Sequence, residues 1–164
     1  AVEEAVSRLA TIPGVGQRTA EVLVAEIGTD MSRFPSAGHL ASWAGMCPGN
    51  NESAGKRLSG KTRKGSPWLR EALTEAARAA ARTRRTYLSA QYHRLAARRG
   101  ANRAAIAVGH TILVIVYHLL RDGTIYQDLG SNYFDERDKQ RVLRRAMGRI
   151  EQLGYTVTLA PSIA

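Results

Sequence analysis

Cysteine is almost absent from this 164-residue sequence. Cys47 stands alone, so no disulfide can form within the chain. A reducing cytosol suits such a protein. No signal peptide is visible. Long hydrophobic runs are lacking too. The most apolar one, Ala104 to Leu120, contains His110 and His118 and is short for a bilayer span. It reads as a buried helix, and no membrane is expected among the partners. Internal repeats, low-complexity tracts and obvious linkers are missing, which leaves one domain, or one with a small extension. Acidic residues are scarce where basic ones crowd. From Lys56 to Arg103 there are 14 basic residues and 2 acidic ones, so that span cannot balance its own charge.

The whole chain carries 24 Lys and Arg against 14 Asp and Glu, a net +10. The span from Lys56 to Arg103 nets +12 and the rest −2. Positive charge concentrated in this way points to a polyanion, and nucleic acid is the commonest one. A merely solvated face is the plainer alternative. Hydrophobic residues make up 44%, enough for a core. Alanine supplies much of that fraction, which favours closely packed helices over sheets.

The apolar spacing predicts a mainly α fold. Val2, Val6 and Leu9 fall at helical spacing, as do Ala20, Leu23, Val24 and Ile27, giving two short helices around "IPGVG", the second ended by Gly28. "SAGHLASWAG" gives a third helix closed by Gly45. A long loop follows over residues 46–66. Ser66 and Pro67 then make a helix start, with serine as N-cap and proline in the first turn. On that helix Leu69, Ala72, Leu73, Ala76 and Ala80 share one face, and Arg78, Arg82 and Arg85 lie nearly opposite. Tyr87 to Arg98 forms another helix, ended by Gly100, and Asn102 to Arg121 the apolar one. Residues 1–121 are thus a compact helical domain, and 122–164 a C-terminal extension. The extension is expected to hold one amphipathic helix capped by Asp135, with Val142, Leu143, Met147, Ile150 and Leu153 facing inward. "YTVTL", after Gly154, reads as a short strand. The chain opens at Ala1 already in helical pattern, which reads as a fragment or a processed chain with something upstream.

The stretch "LATIPGVGQRTAEVLVAEIG", within residues 2–28, closely resembles a helix-hairpin-helix motif. Gly14 and Gly16 let the backbone turn sharply and come close to another chain. Free N–H groups at the start of the second helix, at its partly positive end, can receive a phosphate oxygen. Such contacts see backbone and not base identity. Gln17, Arg18 and Thr19 lie within reach of the same phosphate, while Ile12 and Val15 would anchor the turn in the core. A purely structural hairpin is the alternative.

"NNESAGKRLSGKTRKG", Asn50 to Gly65, cannot bury itself. Loops this long in a small domain are functional or disordered. Around it, "IPGVG", "FPSAGHLASWAG", "CPGN", "ESAGK", "RKGSPWLREAL" and "YHLLRDGTIYQDLGSNYFDERD" together resemble the C-terminal, catalytic-serine domain of the bacterial insertion-sequence transposases that pair it with an N-terminal RuvC-like domain bearing a DEDD carboxylate set. The likeness covers essentially the whole chain. It implies that Ser53, in "SAGK", is the nucleophile that attacks a DNA phosphodiester and forms a transient phosphoserine link. Ser59, in "LSGK", is a second candidate by spacing. Lys56, Arg57, Lys61, Arg63 and Lys64 would hold phosphates beside the serine and offset charge building on the phosphoryl oxygens. The resemblance further implies DNA and an element-encoded guide (bridge) RNA as partners, a homo-oligomeric assembly, and a bacterial cytoplasmic setting, nucleoid-associated when bound. Mg²⁺ is implied for the RuvC-like domain, so no cofactor and no metal ligand is assigned to this chain. A serine hydroxyl needs a base or a metal to act. Glu52 adjoins Ser53 and His39 is the nearest upstream histidine, yet neither is placed for the task by sequence, so the serine is expected to be idle by itself.

His110 and His118 lie about 80° apart on a helical wheel, which does not make a ligand pair; they read as core or interface residues. Cys47 reads as packing. Trp43 and Trp68 flank the serine loop and are expected to anchor its ends in the core, with stacking on a base as the alternative. Two other readings stay open: a non-catalytic helix-hairpin-helix module binding DNA or RNA, and a helical assembly domain.

Overall fold

The computed structural model describes residues 1–47, 51–53, 56–59 and 65–163, the two short middle segments at the level of the backbone. The chain is mainly helical. In order it forms α1 (Val2–Leu9), α2 (Gln17–Ile27), a 3₁₀ turn (Met31–Arg33), α3 (Ala37–Trp43), β1 (Asn51–Ser53), β2 (Lys56–Ser59), α4 (Pro67–Ala81), α5 (Tyr87–Arg99), α6 (Ala101–Asp122), α7 (Tyr133–Arg137) and α8 (Lys139–Gln152). Contacts divide it into two units, Ala1–Ser131 and Asn132–Ala164.

The first unit is built around α6. Its 22 residues rise about 33 Å, and α1, α3, α4, α5 and the 3₁₀ turn all pack on it. The β-branched run Thr111 to Val116 reads locally as strand, but Ala104, Ala105, Val108, Ile112, Leu113, Val116 and Tyr117 fall on one buried helical stripe, and that stripe decides the outcome. α6 is the one helix among the described residues long and apolar enough to cross a membrane, and half of its apolar stretch is buried inside the first unit. Tyr117 ties it to the segment after the 3₁₀ turn by donating its hydroxyl to the Phe34 carbonyl at 3.2 Å.

α4 starts as its sequence predicts. The Ser66 hydroxyl accepts from the Leu69 N–H at 3.3 Å and Pro67 opens the first turn. Leu69, Leu73, Ala76, Ala77 and Ala80 are buried, so small side chains let neighbouring helices come close. The helix is shorter than expected. It stops at Ala81, Arg82 is its C-cap, and Arg85 sits beyond it in a turn with φ +60°. The reason lies in α5, where the Ser89 hydroxyl donates to the Ala81 carbonyl at 2.9 Å and His93 Nε2 reaches the same oxygen at 3.0 Å. That carbonyl is satisfied by side chains and needs no further helical turn.

The second unit departs from expectation more. The extension breaks into α7 and α8, with Asp135 inside α7 instead of capping a helix. Asp138 precedes α8 and makes no side-chain capping bond to it. Residues 155–159 form no strand. Val142, Ile150 and Leu153 are exposed and Leu143 and Met147 half-buried, so the apolar face of α8 is not an inner face. None of the described residues of this unit is buried, because it contains no second apolar layer to cover the first.

Candidate nucleic-acid interface

The loop between α3 and α4 is closed at its base. On its upstream side Met46 is buried, and its N–H donates to the Ala41 carbonyl at 2.9 Å. On its downstream side Gly65 presses on the end of α3, where an added Cβ would stand 2.1 Å from the Ala44 carbonyl oxygen. The two limbs therefore leave the core side by side. One residue on, the Ser66 hydroxyl also donates to the Glu26 carboxylate at 3.1 Å, fastening the start of α4 to the end of α2. Sequence reasoning missed both Glu26 and Gly65. Nothing local marks them, since their partners are 40 and about 20 residues away.

Within the loop the chain is not irregular throughout. β1 and β2 pair antiparallel, with Ser53 opposite Lys56, Glu52 opposite Arg57 and Asn51 opposite Ser59, and an irregularity between Asn51 and Glu52. Ser53 and Lys56 thus flank the turn of a small hairpin, while Ser59 lies at its open end. Lys61, Arg63 and Lys64 fall outside the described residues.

The α1–α2 turn divides its two glycines between different tasks. Gly14 has φ +86°, and a Cβ there would lie 2.3 Å from the Ala76 carbonyl oxygen of α4 and 2.5 Å from the Ala80 nitrogen. Its close approach is to this chain's own helix. Gly16 has nothing within 4 Å of an added Cβ and stands exposed as the N-cap of α2. Ile12 and Val15 are buried, as expected. Among the described residues no hydrogen bond uses the N–H groups of Gln17, Arg18 and Thr19. Arg18 is exposed and Thr19 half-buried, while the Gln17 amide donates to Glu21 at 3.2 Å.

The structure does not bring the α1–α2 turn and the serine loop together, although the far end of α2 is tied to the loop base through Glu26. Gly14 touches α4 at Ala76 and Ala80, near its C-terminal end, and the loop enters at Ser66. The two are separated along α4 by about 15–21 Å of helical rise. Arg78 is exposed at the level of the turn's seat, and Arg82 and Arg85 are exposed beyond the helix end. Trp43 and Trp68 are not core anchors: they are 46% and 69% exposed. Leu69, the next residue after Trp68, takes the buried position at the start of α4. Trp43 leans on Phe34 with ring centroids 5.6 Å apart.

Cys47, at the loop's upstream end, has its Sγ 3.9 Å from His110 Nε2. Half-burial holds the His110 imidazole below its ordinary pKa, because the charged form is poorly solvated there. Among the described residues no three His, Cys, Asp or Glu side chains come together as a metal site. The Mg²⁺ that the family resemblance implies for a RuvC-like domain finds no carboxylate set among the described residues.

The family described as Transposase IS116/IS110/IS902 matches residues 6–94, more than half of the chain, and the chain belongs to that family. It is 37% identical over 125 residues to a 43.6 kDa protein of insertion element IS110 from Streptomyces coelicolor, and 32% identical over 124 residues to the transposase for insertion sequence element IS1111A of Coxiella burnetii. Each alignment takes in 73% of this chain, which covers 29% and 34% of the two relatives, about a third of their length. It is also 53% identical over 47 residues, 29% of this chain and 14% of the relative, to the pilin gene-inverting protein of Moraxella bovis.

Proposed function

We propose that this chain is the strand-joining part of a DNA-rearranging enzyme and that Ser53 is its nucleophile. The Ser53 oxygen attacks a backbone phosphorus, one P–O bond to deoxyribose breaks, and the departing sugar oxygen takes up a proton. The phosphate is left esterified to serine. Attack by another sugar hydroxyl reverses these events, returns the proton to serine and joins a new strand. Bond energy is conserved, so no nucleotide cofactor is consumed.

The observation that carries this reading is the hairpin register, which sets Ser53 opposite Lys56 at the turn of a closed, basic loop. A cation there offsets negative charge that builds on the phosphoryl oxygens. Arg57, Lys61, Arg63 and Lys64 extend the same function along the strand. The α1–α2 hairpin supplies a sequence-independent hold through the open start of α2 and Arg18, in the manner of a helix-hairpin-helix motif. Gly14 serves that hold only indirectly, by seating the turn on α4. A base for the Ser53 proton, Mg²⁺, a guide RNA and a homo-oligomeric partner belong to the longer protein in this reading.

The test uses a longer protein that carries this segment. Ser53→Ala should abolish strand exchange while DNA and RNA binding stay within a few-fold, and Ser59→Ala should retain exchange. A captured covalent adduct should map to Ser53. Exchange that persists in Ser53→Ala, or an adduct on another side chain, ends the proposal. The reading as a non-catalytic helix-hairpin-helix module would then stand, with the open start of α2 and the exposed Arg18 as its contacts.

A further inference from the structure

We infer that the groove between α4 and α6 is a separate nucleic-acid site, which holds a single strand by its phosphodiesters while Trp68 stacks on one of its bases. The inference rests on the reading of this chain as a nucleic-acid-handling domain and adds a surface to it. The groove measures about 360 Å³. Arg70, Thr74 and Arg78 form its α4 wall, and Asn102 and Ile106 its α6 wall.

Three observations carry the inference. First, Arg70 and Arg78 stand eight residues apart on one side of α4, about 12 Å of rise, so they address different phosphates of one strand. Among the described residues neither has a carboxylate within ion-pair distance, and Glu71 is the one acid in the lining. Packing does not explain them, because the inward face of α4 is already filled by Leu69, Leu73 and the alanines. Second, the facing wall offers the exposed Asn102 amide, which has no hydrogen-bond partner among the described residues. The Thr74 hydroxyl is committed to the Arg70 and Glu71 carbonyls, both at 3.0 Å, so it shapes the wall and does not bind. Third, Trp68 follows the groove-lining Pro67 at the end nearest the serine loop and is 69% exposed.

A basic groove with an exposed aromatic residue next to its Pro67 end suits an unpaired strand. The cations follow the backbone, and the ring takes the π-face of a base that a duplex would keep stacked inside. The groove begins where the serine loop ends, at Pro67, and runs along α4 to Arg78. A strand released at the loop can therefore continue into it without leaving the surface. Of these residues only Arg78 and Trp68 stand out in the sequence. Arg70, Thr74 and Asn102 gain meaning from the pairing of two helices.

The experiment titrates the 164-residue chain with labelled oligothymidylate, reading both anisotropy and tryptophan emission. Oligouridylate of equal length forms the RNA arm, and unlabelled duplex of equal length is the competitor. Binding should quench emission. Trp68→Ala should remove most of the quench and Trp43→Ala should keep it. Arg70→Gln with Arg78→Gln should weaken binding at least about tenfold and reduce the slope of log affinity against log salt by about 1.4, at roughly 0.7 per single-strand phosphate contact. Tighter binding of oligothymidylate identifies the occupant as DNA, and tighter binding of oligouridylate as RNA; the same losses in either arm support the groove. Unchanged affinity in the double arginine variant, or a duplex that displaces the strand as well as unlabelled strand does, overturns it. The groove is read by oligonucleotide binding and the serine chemistry by strand exchange and adduct mapping, so the two failures are distinguishable.

Discussion

Gly65 lies against Ala44 so closely that a Cβ on it would fall 2.1 Å from the Ala44 carbonyl oxygen and 2.8 Å from the Gly45 nitrogen. The atoms in the way are backbone, which cannot step aside as a side chain can. Gly65→Ala should therefore part the two limbs of the loop at their base. An overpacking cost of about 1–3 kcal/mol is expected, visible as a lower urea midpoint. If the proposed function holds, strand exchange by a longer protein that carries this segment should fall with it. A midpoint and exchange rate equal to the parent's would show that the loop base is not clamped here.

Gly14 and Gly16 should respond in opposite ways to the same change. Gly14→Ala forces a side chain into φ +86° and into the backbone of α4 at Ala76 and Ala80. Left-handed strain alone costs about 1–3 kcal/mol, and the clash adds to it. Gly16→Ala meets open space at an ordinary backbone angle, φ −79°, and should move the urea midpoint by less than about 1 kcal/mol. Equal losses in the two variants would contradict this division.

Ser66 caps α4 and also donates to Glu26. Ser66→Ala removes both bonds and should cost about 1–2 kcal/mol in chemical denaturation. Glu26→Gln keeps the cap and an acceptor oxygen, so it should cost clearly less. If the two variants lose the same stability, the tie to α2 and not the cap is the main contribution.

His110 should make stability depend on pH. Its folded pKa lies below the ordinary 6.5, with desolvation as the cause. The unfolded chain therefore binds the proton more readily. The contribution is fully present above pH 6.5 and is lost as pH falls through 6.5 towards and past the lowered value. Urea midpoints measured on the acid side of neutrality should decline with falling pH, and His110→Gln should flatten that part of the decline. An identical slope in the variant would mean that other groups set it.

Lys61, Arg63 and Lys64 should act on phosphates alone. Neutralising all three should weaken duplex binding without changing sequence preference, and should lower the salt slope by about 0.9 per lost contact. An unaltered slope would remove the loop from the interface.

Much of the helical framework was legible because its signals are local. Ser66-Pro67 starts α4, Gly28 and Gly100 mark helix ends, and the stripe Val108, Ile112, Leu113, Val116 outvotes its own β-branched character. Failures came where distant residues decide. Arg82 and Arg85 left α4 because Ser89 and His93 of α5 claim the Ala81 carbonyl, which helix periodicity cannot foresee. Trp43 and Trp68 looked like core residues by size, yet Leu40 and Leu69 fill the nearby buried positions. The apolar side of α8 had the right spacing but no layer to meet in its own unit. In the loop, the motif marks Ser53 as a candidate only. Its pairing opposite Lys56 depends on register, and Gly14 facing α4 instead of outward depends on packing.

One uninterrupted helix, α4, separates the hairpin seat at Ala76 and Ala80 from the loop entry at Ser66. Its length therefore comes in discrete steps. A single inserted residue would add about 1.5 Å but would also swing everything beyond it through about 100°. The hairpin would then face a different direction from the one its contacts require. Natural variation along this stretch should accordingly exchange side chains on its exposed face while leaving the residue count untouched.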